Sequence, residues 1–253
     1  MGESTVVTTK APGDRNRLFY AGAAVLVLVL TFWGFVNFYL HGKAFPGRPL
    51  TPPIRTLIIT HGIAMSAWVL LFLVQPVLIA LRKYNWHIFL GRIGAVLAVA
   101  IFVFGMKLAI GAARVNPPEL RLWNLGPKQF LIVPVSAILF FGVYVVIGLW
   151  NRRRSEIHRP MMLLGTLSAL GAATDRIPAL ADLYRQTFWG SLFGPFFTPL
   201  VVGLLLLIVQ SALNRSFDRW FAIGWAGLVV AGLVTMQLAP TSVWDSVATM
   251  LIR

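Results

Sequence analysis

Between positions 18 and 40 the chain carries 23 consecutive residues without a single Asp, Glu, Lys or Arg. A helix needs about 20 apolar residues to cross a bilayer. This run is too long for the core of a signal peptide and lacks a convincing cleavage site, so it reads as an anchor. Six more runs follow, at 56–81, 88–113, 129–150, 160–183, 188–213 and 220–238. The breaks hold turn formers or charge: Pro46-Gly47, Pro52-Pro53, Pro117-Pro118, Gly126-Pro127 and Arg152-Arg153-Arg154. Connections are short, so neighbouring helices should pack antiparallel as one bundle. The expected fold class is all-α, an integral membrane helical bundle of about seven transmembrane helices. A polar tail (1–17) precedes the membrane domain (18–239), and an amphipathic tail (240–253) follows it.

Composition narrows the function classes. The chain is 58% hydrophobic and only 12% charged, against about 25% charged in soluble domains. Its 22 Lys+Arg outnumber 8 Asp+Glu. With so little surface facing water, this excess fits anionic lipid headgroups rather than nucleic acid. The expected place is a membrane, which the chain crosses many times. Between-span cations divide twelve to ten, which puts the N-terminus on the cytoplasmic side. Cysteine is absent, which excludes disulfides, thiolate metal sites, iron–sulfur clusters and c-type haem attachment. In the C-terminal tail, Ser242 and Asp245 have capping-box spacing. Val243, Trp244, Val247, Met250 and Leu251 then share a face, as in a short interfacial helix with Trp244 at headgroup level.

Segments 67–87 and 138–158 read alike: an apolar helix, a basic turn, then a histidine opening the next helix. Duplicated hairpins over 56–113 and 129–183 would set His87 and His158 at matching depth. Basic turns between spans also look alike without any duplication. Imidazole is the usual axial ligand of b-type haem, and bundle sites draw ligands from facing helices. His87 and His158 are therefore candidate ligands for haem, or for a magnesium-centred pigment. The competing reading is a pair of interfacial histidines that cap helices, since both stand at the expected helix starts.

A second set of candidates belongs to the opposite end. Lys107 lies 19 residues past Ile88, roughly 28 Å along a helix. Asp175 and Arg176 reach the same depth from His158. With His61, Arg114, Lys128 and Gln129 they would form a cationic outer pocket for a carboxylate, phosphate or quinone oxygen. Snorkelling to water explains Lys107 and Arg114 equally well, whereas Asp175-Arg176 reads as an ion pair. His61, before Gly62, reads as an interhelical hydrogen-bond partner, and His41 as solvated. Gln75 is a lone amide expected to bond a neighbouring helix. Met161 and Met162 read as packing.

Other activities lack their residues. The last span has no Schiff-base lysine for retinal, and Asp175 alone is too little for an ion pump. No phosphate-binding loop, His-Glu-x-x-His or Gly-x-Ser-x-Gly occurs, and no catalytic residue can be named.

Gly34-Phe35, Phe38-Tyr39-Leu40 and Pro49-Leu50-Thr51-Pro52 resemble the start of a bacterial family of uncharacterised multi-pass membrane proteins. His61-Gly62, Trp68, Leu71-Phe72, Gln75 and His87-x-x-Leu90-Gly91 are similar to its central signature. His158-Arg159-Pro160-Met161-Met162 and Arg176 are similar to its later one. Ile88 stands where that family more often has Arg. The resemblance covers about 18–180 and implies a fold and no reaction. A looser likeness is to di-haem four-helix membrane cytochromes b, in which alternate helices supply the histidines. His87 and His158 would match one pair, while the fourth span has no histidine for another. The leading expectation is a non-enzymatic accessory subunit of a larger membrane assembly for electron transfer or energy transduction. The alternatives are a haem b redox protein with a quinone or anion at the outer pocket, and a carrier of an anionic small molecule.

Overall fold

The computed structural model describes residues 12–44 and 48–253, with the side chains of 12–15 and Arg48 left aside. Twelve helices stand among these residues, with a two-residue ladder pairing Lys43–Ala44 with Arg48–Pro49. They are α1 (Pro12–Gly34), α2 (Val36–His41), α3 (Arg55–Ala80), α4 (Tyr84–Val115), α5 (Pro127–Phe130) and α6 (Ile132–Trp150). Then come α7 (Ser155–Thr174), α8 (Pro178–Ala181), α9 (Phe188–Phe193), α10 (Phe197–Asn214), α11 (Arg219–Leu238) and α12 (Ser242–Ile252).

Six stretches are long and apolar enough to cross a membrane: Asn16–Gly34, Arg55–Ala80, Tyr84–Val115, Pro127–Trp150, Phe188–Asn214 and Arg219–Leu238. The expected seventh, α7, is 20 residues long but less apolar. Its position explains the difference. Helix α7 packs against α6, α1, α11 and α10, and Leu163, Leu164 and Leu167 are fully buried. A helix walled in by protein shows little surface to lipid, so it can carry Thr166, Ser168 and Thr174 inside the core. Each hydroxyl returns to a carbonyl of its own helix: Thr166 to Met162 at 2.9 Å, Ser168 to Gly165 at 2.7 Å, Thr174 to Leu170 at 3.3 Å.

Five helices close a ring in the order α1, α3, α4, α6, α7 and back to α1, while α10 and α11 buttress α7 from outside. Lipid tails are as apolar as leucine, so close approach rather than water exclusion holds such helices together. Small residues supply that approach. A side chain at Gly34 of α1 would run into the backbone of Ala173 on α7. One at Gly165 would meet Val145 at 3.2 Å and Tyr144 at 3.3 Å on α6.

Several expected boundaries move. The first run breaks at Phe35, where the chain leaves the Gly34–Ala173 contact and restarts as α2. The third span begins at Tyr84 and the fifth at Ser155, so His87 and His158 are each the fourth residue of a helix rather than its first. The fifth span ends at Thr174 instead of reaching 183, because Pro178 holds Ile177 extended (φ −101°, ψ 99°). The fourth and sixth are interrupted at Leu131 and at Gly194–Phe196.

The C-terminal tail is helical, but its expected face is corrected. Thr241, not Ser242, caps α12 by accepting from the Trp244 N–H. Trp244 is buried, and its indole N–H donates to the Lys128 carbonyl at 2.9 Å. Ala248 is buried beside it, while Val243 and Met250 are exposed. The helix docks on α4 and α5 through Trp244 and Ala248.

Candidate functional site

At the end of the ring marked by the basic turns after α3 and α6 lies a cavity of about 270 Å3. Trp68 closes its deep side. Trp68 is 3% exposed, donates to Thr166 on α7 at 3.2 Å and meets Phe141 of α6 edge to face. Gly91, Gly94 and Ala95 of α4 leave room opposite Leu71 and Phe72 of α3. Arg17, Arg152, Ser155 and Arg159 line the mouth. From Gln75 to Trp68 is about 10 Å along α3.

His87 and His158 both line this cavity, with ring centroids 6.5 Å apart and planes at 89°. Nδ1 of His158 donates to the carbonyl of Gly148 at 2.8 Å. A carbonyl only accepts, so the proton is on Nδ1 and Nε2 keeps a free lone pair. Ligating histidines are oriented by such a bond to the backbone. On the other wall, Gln75 donates from its amide nitrogen to Nδ1 of His87 and accepts from the Gly91 N–H at 3.0 Å. The proton of a neutral His87 is then on Nε2. Neutral, the two rings thus leave one Nε2 donor and one Nε2 acceptor.

The two rings are near enough to line one ligand site together. Among the described residues no three His, Cys, Asp or Glu cluster as a metal site. A bare structural zinc takes four protein ligands and a catalytic one three. Two imidazoles would suffice for a metal that brings other ligands with it, haem iron among them.

Five of the seven residues expected to form an outer pocket have separate partners. Arg114 donates to the carbonyl of Ile252 at 2.7 Å and Lys128 to Thr249 at 3.2 Å, so both fasten the C-terminal helix. Gln129 caps its own helix by accepting from the Gly126 N–H at 3.0 Å. Asp175 takes Arg185 at 3.3 Å and the Trp123 indole at 2.9 Å, and burial pushes its carboxyl up against those cations. Arg176 donates to the Ala172 carbonyl and stacks over Phe35. Lys107 is exposed on α4. His61 packs against Gly105 and Ile138, and its buried Nδ1 has no partner, contrary to the expected interhelical bond. His41 is exposed at the end of α2.

Three groups in or beside the cavity escape a reading of sequence alone. The Gly148 carbonyl carries no residue-type signal. Arg152 and Arg159 look like any basic turn. Gln75 does carry a signal, as a lone amide in an apolar helix.

Fold and site together define a multi-pass helical membrane protein with a paired-histidine cavity inside its bundle. Comparison of the chain with family models, curated proteins and solved structures finds no match.

Proposed function

We propose that the protein is a b-type haem component of a bacterial cytoplasmic membrane, in which His87 and His158 would hold the haem and the haem would supply one-electron redox chemistry. The observation that carries this reading is the two imidazoles 6.5 Å apart across one cavity. The Gly148 bond orients the ring of His158, and Gln75 holds the ring of His87. In this reading α7 is the seventh span, shielded from lipid by its neighbours, and the N-terminus is cytoplasmic.

The accessory-subunit reading rests on exposed apolar faces, such as Val96 and Val99, which lipid covers as well as a partner would. A second reading has a specific observation in its favour. At about 270 Å3 the cavity falls just under the roughly 300–1,000 Å3 of drug-sized ligand sites, so a macrocycle must push mouth side chains such as Ile79 and Arg152 outward. A quinol headgroup needs less room and would bridge the two rings, one oxygen accepting from Nε2–H of His87 and one hydroxyl donating to Nε2 of His158, whereas the oxidised quinone would bond His87 alone.

The test is the absorption spectrum of protein purified in mild detergent from haem-replete cells, oxidised and then dithionite-reduced. The haem reading expects a sharpened α-band on reduction, lost in His87→Ala and in His158→Ala. A colourless protein, or a band that survives both substitutions, overturns it. Quinone in the organic extract of a colourless protein supports the second reading.

A further inference from the structure

We propose that Tyr20 is a third polar contact of the histidine cavity, its hydroxyl donating to the ligand oxygen that meets His158, so that the site takes a quinol headgroup in both of its redox states. The inference rests on the second, quinol reading of this cavity. Tyr20 lines the cavity from α1 and is only 9% exposed. Its hydroxyl has no hydrogen-bond partner among the described residues, yet it is not sealed in protein. The other buried tyrosines direct their hydroxyls to the protein. Tyr144 donates to the Gly224 carbonyl at 2.7 Å, and Tyr184 accepts from Thr198 at 3.2 Å. A buried hydroxyl without a partner is costly and uncommon in native proteins. The nearest acid does not supply one. The charges of Asp218 and Arg159 both act on the Tyr20 hydroxyl. Asp218 is already engaged, Oδ1 accepting from the Phe221 N–H at 2.9 Å and Oδ2 from the Gln210 amide at 2.7 Å. The partner left for Tyr20 is the occupant of the cavity. Helix α1 packs on α7, the helix of His158, and Arg159 follows His158 directly. Tyr20 therefore reaches the cavity on the His158 side. There the two redox states differ. A quinol oxygen that donates to Nε2 of His158 keeps a lone pair for Tyr20. A quinone oxygen has no proton to give His158, and Tyr20 becomes its donor. Nε2–H of His87 and the Tyr20 hydroxyl then hold the quinone by its two oxygens, while Trp68, Leu71 and Phe72 wall the flat ring.

The experiment titrates delipidated protein, at a fixed concentration of neutral detergent, with decylubiquinone and, under anaerobic conditions, with decylubiquinol, read by calorimetry. The unsubstituted protein should bind both. Tyr20→Phe should weaken each about fivefold, the worth of one neutral hydrogen bond. Its ligand-free melting temperature should be unchanged or raised, because the lost hydroxyl had no partner in the protein. Tyr144→Phe should do the reverse, lowering the melting temperature and leaving both affinities alone, since its hydroxyl holds Gly224 and does not line the cavity. Equal binding by Tyr20→Phe and the unsubstituted protein overturns the contact while leaving the quinol reading intact. A lowered ligand-free melting temperature in Tyr20→Phe also overturns it, by assigning the hydroxyl to the fold. Binding of the quinol without the quinone by the unsubstituted protein overturns it as well, and needs no variant to fold. Binding of neither form ends both the contact and the quinol reading.

Discussion

Asp175 shows how one buried charge shapes the far end of the bundle. Its carboxyl is held above the ordinary carboxylate range by burial, against the pull of Arg185, Arg176 and the Trp123 indole. A folded-state pKa above the unfolded one gives a stability contribution that is full below the unfolded value, about 3.9, and is lost as pH rises through the folded value. The melting temperature of the native protein minus that of Asp175→Asn should therefore climb as pH falls from 7 toward about 4.5. A flat difference across that range would sink this account. Gly34 offers a second test at this scale. Its absent side chain is what lets α1 touch the Ala173 backbone. Gly34→Ala should cost about 1–3 kcal/mol, as overpacking does. Gly22, with open space where its side chain would be, should tolerate the same change in a thermal melt in detergent.

Among the elements, α7 and α12 depart most from what their sequences suggest alone. Helix α7 is walled in by α1, α6, α10 and α11 and carries three hydroxyl groups in its core-facing stretch. In a membrane-insertion assay of single segments, Pro127–Trp150 should insert on its own, while Ser155–Thr174 should do so poorly without its neighbours. Equal insertion of both would contradict this. Helix α12 is held by the Trp244 ring and its bond to the Lys128 carbonyl. Trp244→Ala should lower stability by about 3–5 kcal/mol, read as a drop in melting temperature, while Met250→Ala, on an exposed residue, should leave it unchanged. The same elements mark how far the fold was legible. Apolar runs locate all six membrane-long helices, because lipid-facing helices must be apolar on their outer side. They misplace the ends of α4 and α7, since Tyr84, Asn85 and Glu156 are helical without being apolar. Pro178 did carry the signal for the end of α7. Which face of α12 docks depends on α4 and α5, contacts no local pattern contains. The histidine pair was legible as two similar turns. The scattered partners of the outer cations were not, because equal depth along a helix says nothing about the direction in which it faces.

For the molecule as a whole, the proposed crossing by α7 makes the number of spans odd, which would put the ends on opposite sides of the bilayer. Reporter fusions at the start of α1 and after α12 should give opposite cytoplasmic and periplasmic signals. Signals from the same side would remove α7 from the set of spans. The closed ring has a further consequence. Trp68, wedged between Thr166 and Phe141, stops the chamber about halfway up. The lining runs from Arg17, Arg152 and Arg159 at the basic end no deeper than Trp68, so a ligand held there would meet that end of the bundle and not the end that carries Asp175.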